Sequence, residues 1–195
     1  LLHSGDNSEV YRAIRVADNQ PVVLKKLKSP YPTPEQIRRY RQEYQLIGSL
    51  QSPNVIRAYA LEEQRKSFAI ILEDVGGIAI GQWLAQREQS LTIGEFLPLA
   101  LKIAEGLKQL HAHHIIHKDI NPSNIVVNPA TGVVKIIDLG IATQLDRETP
   151  LLKAPRELEG TLPYLSPEQT GRMNRTLDYR SDFYSLGATF YEMLT

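Results

Sequence analysis

The sequence predicts an α+β fold in which a small strand-rich part precedes a mainly helical part. Three observations point to it. Short runs of alternating apolar and polar residues, typical of half-buried strands, recur near the N-terminus. Two Thr-x-x-Gln/Glu patterns mark the starts of long helices. One β-hairpin pattern interrupts the helical part, and polar motifs stand on both sides of it.

Composition sets broad limits on function. The 195 residues are 42% hydrophobic, and 22 basic residues balance 22 acidic ones, so we expect no nucleic-acid partner. The chain has no cysteine, no apolar run long enough for a membrane span and no signal-peptide pattern, which favours a cytoplasmic setting. Both ends lack the signals that open or close a domain. We therefore expect a piece of a longer protein.

The first elements are two strands and a helix. Val10–Ile14 and Val22–Lys25 read as strands joined by a turn. Thr33 and Pro34 then open a helix that we expect to end near Gly48. Its apolar positions repeat at three- and four-residue spacing and predict one packed face, formed by Ile37, Tyr40, Tyr44 and Ile47.

Two more strands are predicted at Val55–Tyr59 and Ser67–Leu72, before a break at Val75–Gly77. A second helix begins at Thr92, with Glu95 completing its capping box. We expect its packed side to be formed by Ala100, Ile103, Ala104, Leu107 and Leu110.

The remaining chain reads as a hairpin, an irregular stretch and a last helix. Ile125–Val127 and Val133–Ile137 flank the hairpin turn. Residues 141–163 show no regular pattern, and a helix is predicted at Ser181–Leu194.

The polar motifs around the hairpin indicate phosphoryl transfer. Asp119 is followed by Asn124 five residues later and by Asp138 after the hairpin. One carboxylate suits the orientation of a hydroxyl nucleophile, whereas an amide and a second carboxylate suit Mg²⁺ against the phosphates of ATP. Taken singly, these residues could be a loop aspartate, a turn asparagine and a strand-ending aspartate.

In this order, the motifs resemble those of a protein kinase domain along the whole chain. Lys25 matches the strand lysine, Glu43 its helix partner, and Asp138-Leu139-Gly140 the metal-binding motif. His117-Lys118-Asp119 with Asn124 resembles the catalytic loop. Gly160-Thr161 followed by Ser166-Pro167-Glu168 is similar to the serine/threonine class, and Asp182 to the buried aspartate of the next helix.

The resemblance implies a bilobal protein-kinase-like fold. Residues 1–75 would form the antiparallel sheet and single helix of the N-lobe, and residues 76–195 a partial, mainly helical C-lobe. It implies ATP and Mg²⁺ as cofactors and a protein with Ser or Thr hydroxyls as substrate. Asp119 would act as the base, with Lys25 and Asn121 also in catalysis, and Asn124 and Asp138 would bind the metal.

The resemblance also implies a nucleotide site. Lys25 would contact phosphates and pair with Glu43, although a solvated Lys25-Lys26-Lys28 run is the plain alternative. Alternation along a strand favours the first interpretation, since Lys25 then faces the side of Val23 and Lys26 faces away. The other residues that the family would place around the nucleotide are Gly5, Val10, Val23, Glu73, Val75 and Val126.

A narrower resemblance concerns His117–Asn124 and the stretch from Gly160 to Arg175. These segments look like the N-terminal kinase domains of large bacterial signalling proteins, in which an ATPase module, a sensory domain and often a histidine kinase follow. Thr149 is a candidate phosphosite in the segment ahead of Gly160. Glu168 would lack the arginine partner that the family supplies from beyond Leu194.

Three positions depart from the family pattern. The phosphate loop, residues 3–10, keeps Gly5 alone of three glycines. Asn121 stands in place of a lysine that stabilises the transferred group, and an amide brings no charge. Lys118 replaces an arginine and lacks its bidentate fork.

These departures keep a pseudokinase, a nucleotide-binding or scaffolding module, as the alternative to an active kinase. A small-molecule kinase is a third reading, which Gly160-Thr161 and Ser166-Pro167-Glu168 disfavour. The histidines at 111, 113, 114 and 117 lack a metal-binding pattern, and His117 is expected to be structural. We expect Lys25→Met to lower activity with little effect on folding.

Overall fold

A computed structural model describes residues 1–5, 7–64, 67–145, 159–171 and 176–195. Across these residues the fold is α+β, as the sequence predicts: an antiparallel sheet with one helix is followed by a mainly helical part with short strands. Thr149 and the stretch 172–175 lie outside the described residues, as does Asp6 of the phosphate loop.

Five strands form the N-terminal antiparallel sheet in the order β1-β2-β3-β5-β4. They are β1 (His3–Ser4), β2 (Ser8–Arg15), β3 (Gln20–Leu27), β4 (Ala58–Gln64) and β5 (Ser67–Glu73). The register sets Lys25 of β3 opposite Val10 of β2 and Ile70 of β5. Lys25 is buried and Lys26 is exposed, which follows the alternation that the sequence predicts.

Helix α1 (Pro34–Gly48) packs against β4 and β5 and begins with the predicted capping box, in which Thr33 accepts from the Gln36 backbone N–H. Tyr40 and Ile47 of the predicted apolar face are buried, and Ile37 and Tyr44 are partly buried. Glu43, a carboxylate only 2% exposed, lies among them. Such burial needs a partner charge, because an isolated carboxylate is costly to remove from water.

The strand predicted at Val55–Tyr59 is misplaced, because β4 begins only at Ala58 and is irregular between Ala58 and Ala60. Val55 instead forms an isolated parallel bridge with Ile136, and Ile56 N–H donates to the Ile136 carbonyl at 2.9 Å. Val55 and Ile56 therefore pair with β9 of the later hairpin rather than with the N-terminal sheet.

The C-terminal part combines helices with small sheets. Its elements are β6 (Ile78–Ala79), α2 (Ile80–Ala85), α3 (Ile93–Ala112), β7 (Ile115–Ile116), β8 (Ile125–Asn128), β9 (Val133–Ile136), β10 (Thr143–Gln144), a 3-10 turn (Leu162–Tyr164) and α4 (Arg180–Leu194). Strands β6, β8 and β9 form one antiparallel sheet, and β7 pairs with β10. The predicted hairpin and last helix are present, whereas β1, β6, α2, β7 and β10 were not predicted.

Helix α3 is the central helix of this part, and its capping box joins Thr92 and Glu95 as predicted. Ile103, Leu107 and Leu110 are buried, but Ala104 is exposed. Ala104 lies at the rim of the stripe, and the nearby buried position is Gly106, which approaches the Asn54 carbonyl. Small residues contribute little to an apolar pattern, so the sequence alone could not show that Gly106 rather than Ala104 faces the core.

One hydrophobic core runs through both parts and includes Ile70 of β5, Ile136 of β9, Leu110 of α3 and Met193 of α4. Within the described residues, none of the helices combines the length and the apolar character that crossing a membrane requires.

Candidate active site

A cavity of about 260 Å³ lies where the sheet, the linker after β5 and the β6-β8-β9 sheet meet. The structure brings nine of the predicted site residues to its wall: Val10, Val23, Lys25, Glu43, Glu73, Val75, Asn124, Val126 and Asp138. Gly5, Asp119 and Asn121 are not among the residues that line it. We call the part of the wall formed by Val10, Val23, Val75 and Val126 the apolar end, and the part formed by Lys25, Glu43, Asn124 and Asp138 the charged end.

The apolar end is bounded from two sides. Val10 of β2 and Val23 of β3 belong to the N-terminal sheet, and Val126 belongs to β8. In the linker, the Val75 carbonyl accepts a hydrogen bond from Asn128 Nδ2 at 2.7 Å. Among the described residues, Val75 N–H has no hydrogen-bond partner, so this donor is available to a ligand edge.

The charged end is organised around Lys25. Its Nζ lies 2.7 and 2.9 Å from the two carboxylate oxygens of Glu43 and 2.8 Å from Asp138 Oδ1. The register of β3 and the buried face of α1 bring the first pair together. Asp138 has a φ of 60°, and its Oδ1 also accepts from Gly140 N–H at 3.0 Å, which fixes its direction.

The two carboxylates share one cation and differ in acidity. Burial and the charge of Asp138 raise the pKa of Glu43 more than Lys25 lowers it. Partial burial also acts to raise the pKa of Asp138, but the charge and hydrogen bond of Lys25 lower it to about 2. Burial opposes the charge on Lys25, yet the two carboxylates outweigh it and raise the pKa of Lys25, so it stays protonated.

The donor set fits a magnesium ion. Lys25, Glu43 and Asp138 carry a net charge of −1 when ionised, which favours a further cation. The Asn124 amide nitrogen donates to Asp119, and within the described part of the chain no group donates to its Oδ1. An amide oxygen and a carboxylate oxygen facing the same cavity are ligands that hard divalent cations prefer.

Helix α4 anchors the loop between β7 and β8. Asp182, fully buried, accepts from the backbone N–H groups of His117 and Lys118 at 2.9 and 2.8 Å. These bonds hold Lys118 at a φ of 68°, a left-handed conformation that few residues adopt without such support.

His117 has a structural position. Its ring is completely buried; Nδ1 accepts from Asp119 N–H, so the protonated Nε2 is assigned as donor to the Ile137 carbonyl at 3.1 Å. The ring therefore joins the loop to the segment that leads to Asp138. His111 Nε2 lies 2.8 Å from Asp182, and no His, Asp and Glu cluster in the described residues has metal-site geometry.

The Asp119 carboxylate is fixed by two donors. Asn124 Nδ2 donates to Oδ2 and Thr161 N–H to Oδ1, each at 2.8 Å. The residue as a whole is only partly buried. Asp119 thus connects to the cavity through Asn124 and to the Gly160-Thr161 segment through a backbone donor.

Asn121 lies inside the loop rather than in the cavity. It is 1% exposed, and its Nδ2 donates to the Asp119 carbonyl and to Thr161 Oγ1, both at 3.1 Å. Its Oδ1 accepts from Ser123 N–H at 2.8 Å. In this arrangement the amide supports Asp119 and Thr161, and no donor is left to reach a phosphate.

Gly5 closes the tight turn between β1 and β2, where its N–H donates to the Ser8 carbonyl at 3.0 Å. Its neighbours Leu2 and His3 line the cavity instead. The segment that ends in Glu168 is anchored as well, because Ser181 Oγ donates to the Glu168 carboxylate at 2.7 Å. Glu168, which we expect to lack the arginine partner of the family, is thus bound by a serine hydroxyl of this chain.

Two charged contacts at the cavity were not predicted. Arg12 Nε lies 2.5 Å from Asp74 Oδ2 and ties β2 to the linker; its place two residues after Val10 on β2 was an available signal. Lys135 of β9 lies 2.6 Å from the Glu73 side chain, a contact across the fold that no local pattern indicates.

A buried lysine–carboxylate pair, an amide and a second carboxylate at one cavity, with an aspartate bonded to that amide, form the kind of arrangement that phosphoryl transfer uses. The chain matches the sequence profile of the protein kinase domain over residues 1–195 and belongs to that family. Members of this family use ATP with Mg²⁺.

Bacterial kinases are among the relatives that the chain resembles. It is 34% identical over 192 residues to a Clostridium perfringens protein named as a probable serine/threonine-protein kinase, covering 98% of this chain and 27% of the relative. It is 32% identical over 196 residues to the Bacillus subtilis serine/threonine-protein kinase PrkC, a match that covers 100% of this chain and 29% of PrkC. It is 30% identical over 200 residues to the serine/threonine-protein kinase PknB of Mycobacterium leprae, a match that covers 100% of this chain and 31% of PknB. The chain thus spans less than a third of each relative.

Proposed function

We propose that this chain is the catalytic domain of a protein serine/threonine kinase that transfers the γ-phosphoryl group of ATP in bacterial signal transduction. The observation that supports this most is that two pairs of groups, Lys25 with Asp138 and Asn124 with Asp119, meet at the charged end of the cavity. Lys25 and Asp138 are held 2.8 Å apart, and Asn124 both lines the cavity and holds Asp119. The names of the bacterial relatives support the serine/threonine class.

In the proposed step, a hydroxyl group of the protein substrate attacks the γ-phosphorus of ATP. Asp119 orients a substrate hydroxyl and accepts its proton as the hydroxyl oxygen bonds to the γ-phosphorus. The bond from that phosphorus to the β-phosphate oxygen breaks, and ADP leaves. Lys25, kept protonated by its carboxylate partners, neutralises phosphate charge. Asn124 Oδ1 and Asp138 would hold Mg²⁺, which supplies charge neutralisation when bound.

The adenine would occupy the apolar end, between Val10 and Val23 on one side and Val126 on the other. Val75 N–H and the Glu73 backbone would meet its edge. Residues 1–75 would be the N-lobe and residues 76–195 the partial C-lobe, a division supported by the separate sheets of the two parts. The cavity would lie between these lobes.

The wider setting is the cytoplasm, with a protein substrate carrying Ser or Thr. The proposed context is a longer chain with C-terminal ATPase and sensor domains, supported by the motif resemblance around His117–Asn124. A pseudokinase module that regulates such domains is the second candidate, favoured by the buried position of Asn121 and the single glycine of the phosphate loop.

The test compares wild-type protein with Asp119→Asn in full-length form, using labelled ATP, Mg²⁺ and a generic Ser/Thr protein substrate. We expect transfer by the wild type and a loss of at least about a hundredfold in the variant, because the lost base contributes roughly that much. Asp18→Asn, in the turn between β2 and β3, is the matched control and should keep full activity.

Thermal stabilisation by Mg-ATP separates the two candidates, since a ligand that binds the native state raises its stability. Both Asp119→Asn and wild type should be stabilised. Stabilisation of the wild type without any transfer would establish the pseudokinase instead. Absence of stabilisation and transfer together would contradict the active kinase and the nucleotide-binding form of the pseudokinase, and would leave only a scaffolding module.

A further inference from the structure

We infer that Arg12 is a positioning residue that fixes the spacing between the two sides of the apolar end of the cavity, because it holds strand β2 against the linker after β5. This inference rests on the proposed function, which places adenine between those two sides. Arg12 Nε lies 2.5 Å from Asp74 Oδ2, and its Nη2 lies 3.1 Å from Asp74 Oδ1 and 3.3 Å from the Gly77 carbonyl. We call these three residues the Arg12 clasp.

The arginine belongs to the sheet side of the apolar end. Arg12 follows Val10 by two residues on β2 and stands opposite Val23 of β3 in the register, and all three residues line the cavity. Side chains two residues apart on a strand share one face of the sheet, so Arg12 and Val10 point the same way. A displacement of this side of the cavity therefore carries the guanidinium group with it.

The acceptors of the clasp belong to the linker, which packs against the opposite side of the cavity. Asp74 Oδ1 also accepts from Gly76 N–H at 2.8 Å, so the carboxylate is held by its own chain. A Cβ on Gly77 would lie 2.6 Å from both the Val126 side chain and the Val127 carbonyl, which shows how closely the linker approaches β8. The clasp therefore connects the sheet side of the apolar end to its β8 side.

The burial of Asp74 explains why the clasp needs a guanidinium group. The Asp74 side chain is only 5% exposed, whereas that of Arg12 is 45% exposed. A carboxylate so far removed from water needs a charged partner. The planar guanidinium group supplies two N–H donors to it, which fix direction as well as distance. The bond to the Gly77 carbonyl attaches the same group to the linker at a second point.

The clasp prepares the apolar end for a flat ring before a nucleotide binds. A site that is already arranged loses less free energy in ordering its walls when the ligand enters. Among the described residues, the hydrogen bonds of Arg12 go to Asp74 and Gly77 and do not reach the charged end. The clasp therefore acts on retention of the nucleotide rather than on the transfer of its phosphoryl group.

The test measures binding of a fluorescent ADP with Mg²⁺ to the full-length protein. Arg12→Gln removes both the charge and the fork of donors. We expect the variant to bind Mg-ADP about three- to tenfold more weakly, the scale of one charged pair whose arginine is partly exposed. Most of the loss should appear as faster release. KM for ATP should rise by a similar factor, whereas kcat at saturating ATP should not fall.

Three further variants isolate the clasp. Arg12→Lys keeps the charge without the fork and should recover only part of the affinity. Asp74→Asn added to Arg12→Gln should cause no further loss, because the acceptor has already lost its donor. Arg15→Gln is the matched control, since it breaks a similar arginine–aspartate pair, with Asp18, on the same strand but outside the cavity wall. It should keep wild-type affinity for Mg-ADP.

A measurement that needs neither nucleotide nor catalysis keeps the inference separate from the proposed function. Hydrogen exchange of the linker amides, residues 74–79, should accelerate in Arg12→Gln and not in Arg15→Gln. If the wild type binds Mg-ADP but transfers no phosphate, the kinase proposal fails, while weaker binding and faster exchange in Arg12→Gln still support the clasp. Unchanged binding or unchanged exchange in Arg12→Gln, or an equal effect of Arg15→Gln, overturns the clasp even where the wild type is an active kinase.

Discussion

The ammonium group of Lys25 is shared between two carboxylates that differ in their contact with water. Glu43 is almost fully buried, whereas the Asp138 side chain is 44% exposed and faces the cavity. Glu43 therefore depends on Lys25 for its charge, and Asp138 remains available for a ligand. The sequence indicated that Lys25 faces inward, but burial of Glu43 depends on packing between α1 and the sheet.

This burial changes the expectation for Lys25→Met. Sequence alone suggested little effect on folding, but the substitution leaves a buried carboxylate without its cation. We now expect the free energy of unfolding to fall by about 3–5 kcal/mol at neutral pH. Denaturant unfolding measures this, and Lys25→Met/Glu43→Leu should recover most of the loss.

The same variant should show a defined pH dependence. The pKa of Glu43 is raised in the folded protein, so protonation favours the folded state as pH falls. The destabilisation by Lys25→Met should therefore be smaller at about pH 5 than at about pH 8. A loss that is equal at both values would mean that Glu43 finds another partner.

Asp119 and Asn121 show where residue-level prediction ends. The motif placed Asp119, Asn124 and Asp138 in one site, because their spacing fits a loop followed by a hairpin. Asn121 Nδ2 donates to Thr161 Oγ1, 40 residues away, and Asp119 accepts from Thr161 N–H, 42 residues away. Contacts at such separation depend on the folded path between them and leave no local pattern.

At the scale of elements, capping chemistry was the most reliable guide. Helices α1 and α3 both begin directly after the threonine that the sequence indicated, since these signals depend on neighbouring residues alone. The misplaced strand at Val55 shows the converse. Its apolar residues suit either a strand or a bridge to β9, and only the tertiary fold decides between them.

The cap of α3 gives an element-level prediction. Thr92→Ala removes the oxygen that accepts from Glu95 N–H, and we expect a loss of about 1 kcal/mol in stability. Thermal or denaturant unfolding measures it. Gln89→Ala, in the loop before the helix, is a control that should change stability little.

The carboxyl group of Glu95 reports on the same cap. Hydrogen bonds from the Thr92 backbone and side chain, and from Arg87, lower its pKa from 4.5 to about 2. A lowered pKa gives stability that is present above 4.5 and is lost as pH falls towards 2. In Thr92→Ala the titration of Glu95, followed by NMR, should move upward; an unchanged midpoint would contradict this account of the cap.

At the scale of the whole molecule, the position of α3 against the rest of the fold depends on Gly106. A Cβ there would lie 2.8 Å from the Asn54 carbonyl and 3.1 Å from Ile136. The helix can thus approach both the segment before β4 and strand β9, on the core that joins the two parts. The general α+β order was predictable from local patterns, but this close approach was not.

Gly106→Ala should therefore separate packing from helix propensity. We expect it to lower the free energy of unfolding by about 1–3 kcal/mol, because the added methyl overpacks a contact with backbone. Gly187→Ala on α4, where nothing lies within 4 Å, should raise stability by roughly 0.5–1 kcal/mol. Equal effects of the two substitutions in unfolding experiments would show that α3 can shift without cost.

The mostly buried ion pair between Lys135 and Glu73 ties strand β9 to the end of strand β5. Its Nζ holds the Glu73 side chain at 2.6 Å and the Val55 carbonyl at 3.2 Å, and Glu73 in turn accepts from Arg57 N–H. Breaking such a pair inside the protein is expensive. We therefore expect movement of the sheet relative to β9 to be smaller beside Glu73 than at the far edge of the sheet, near β1.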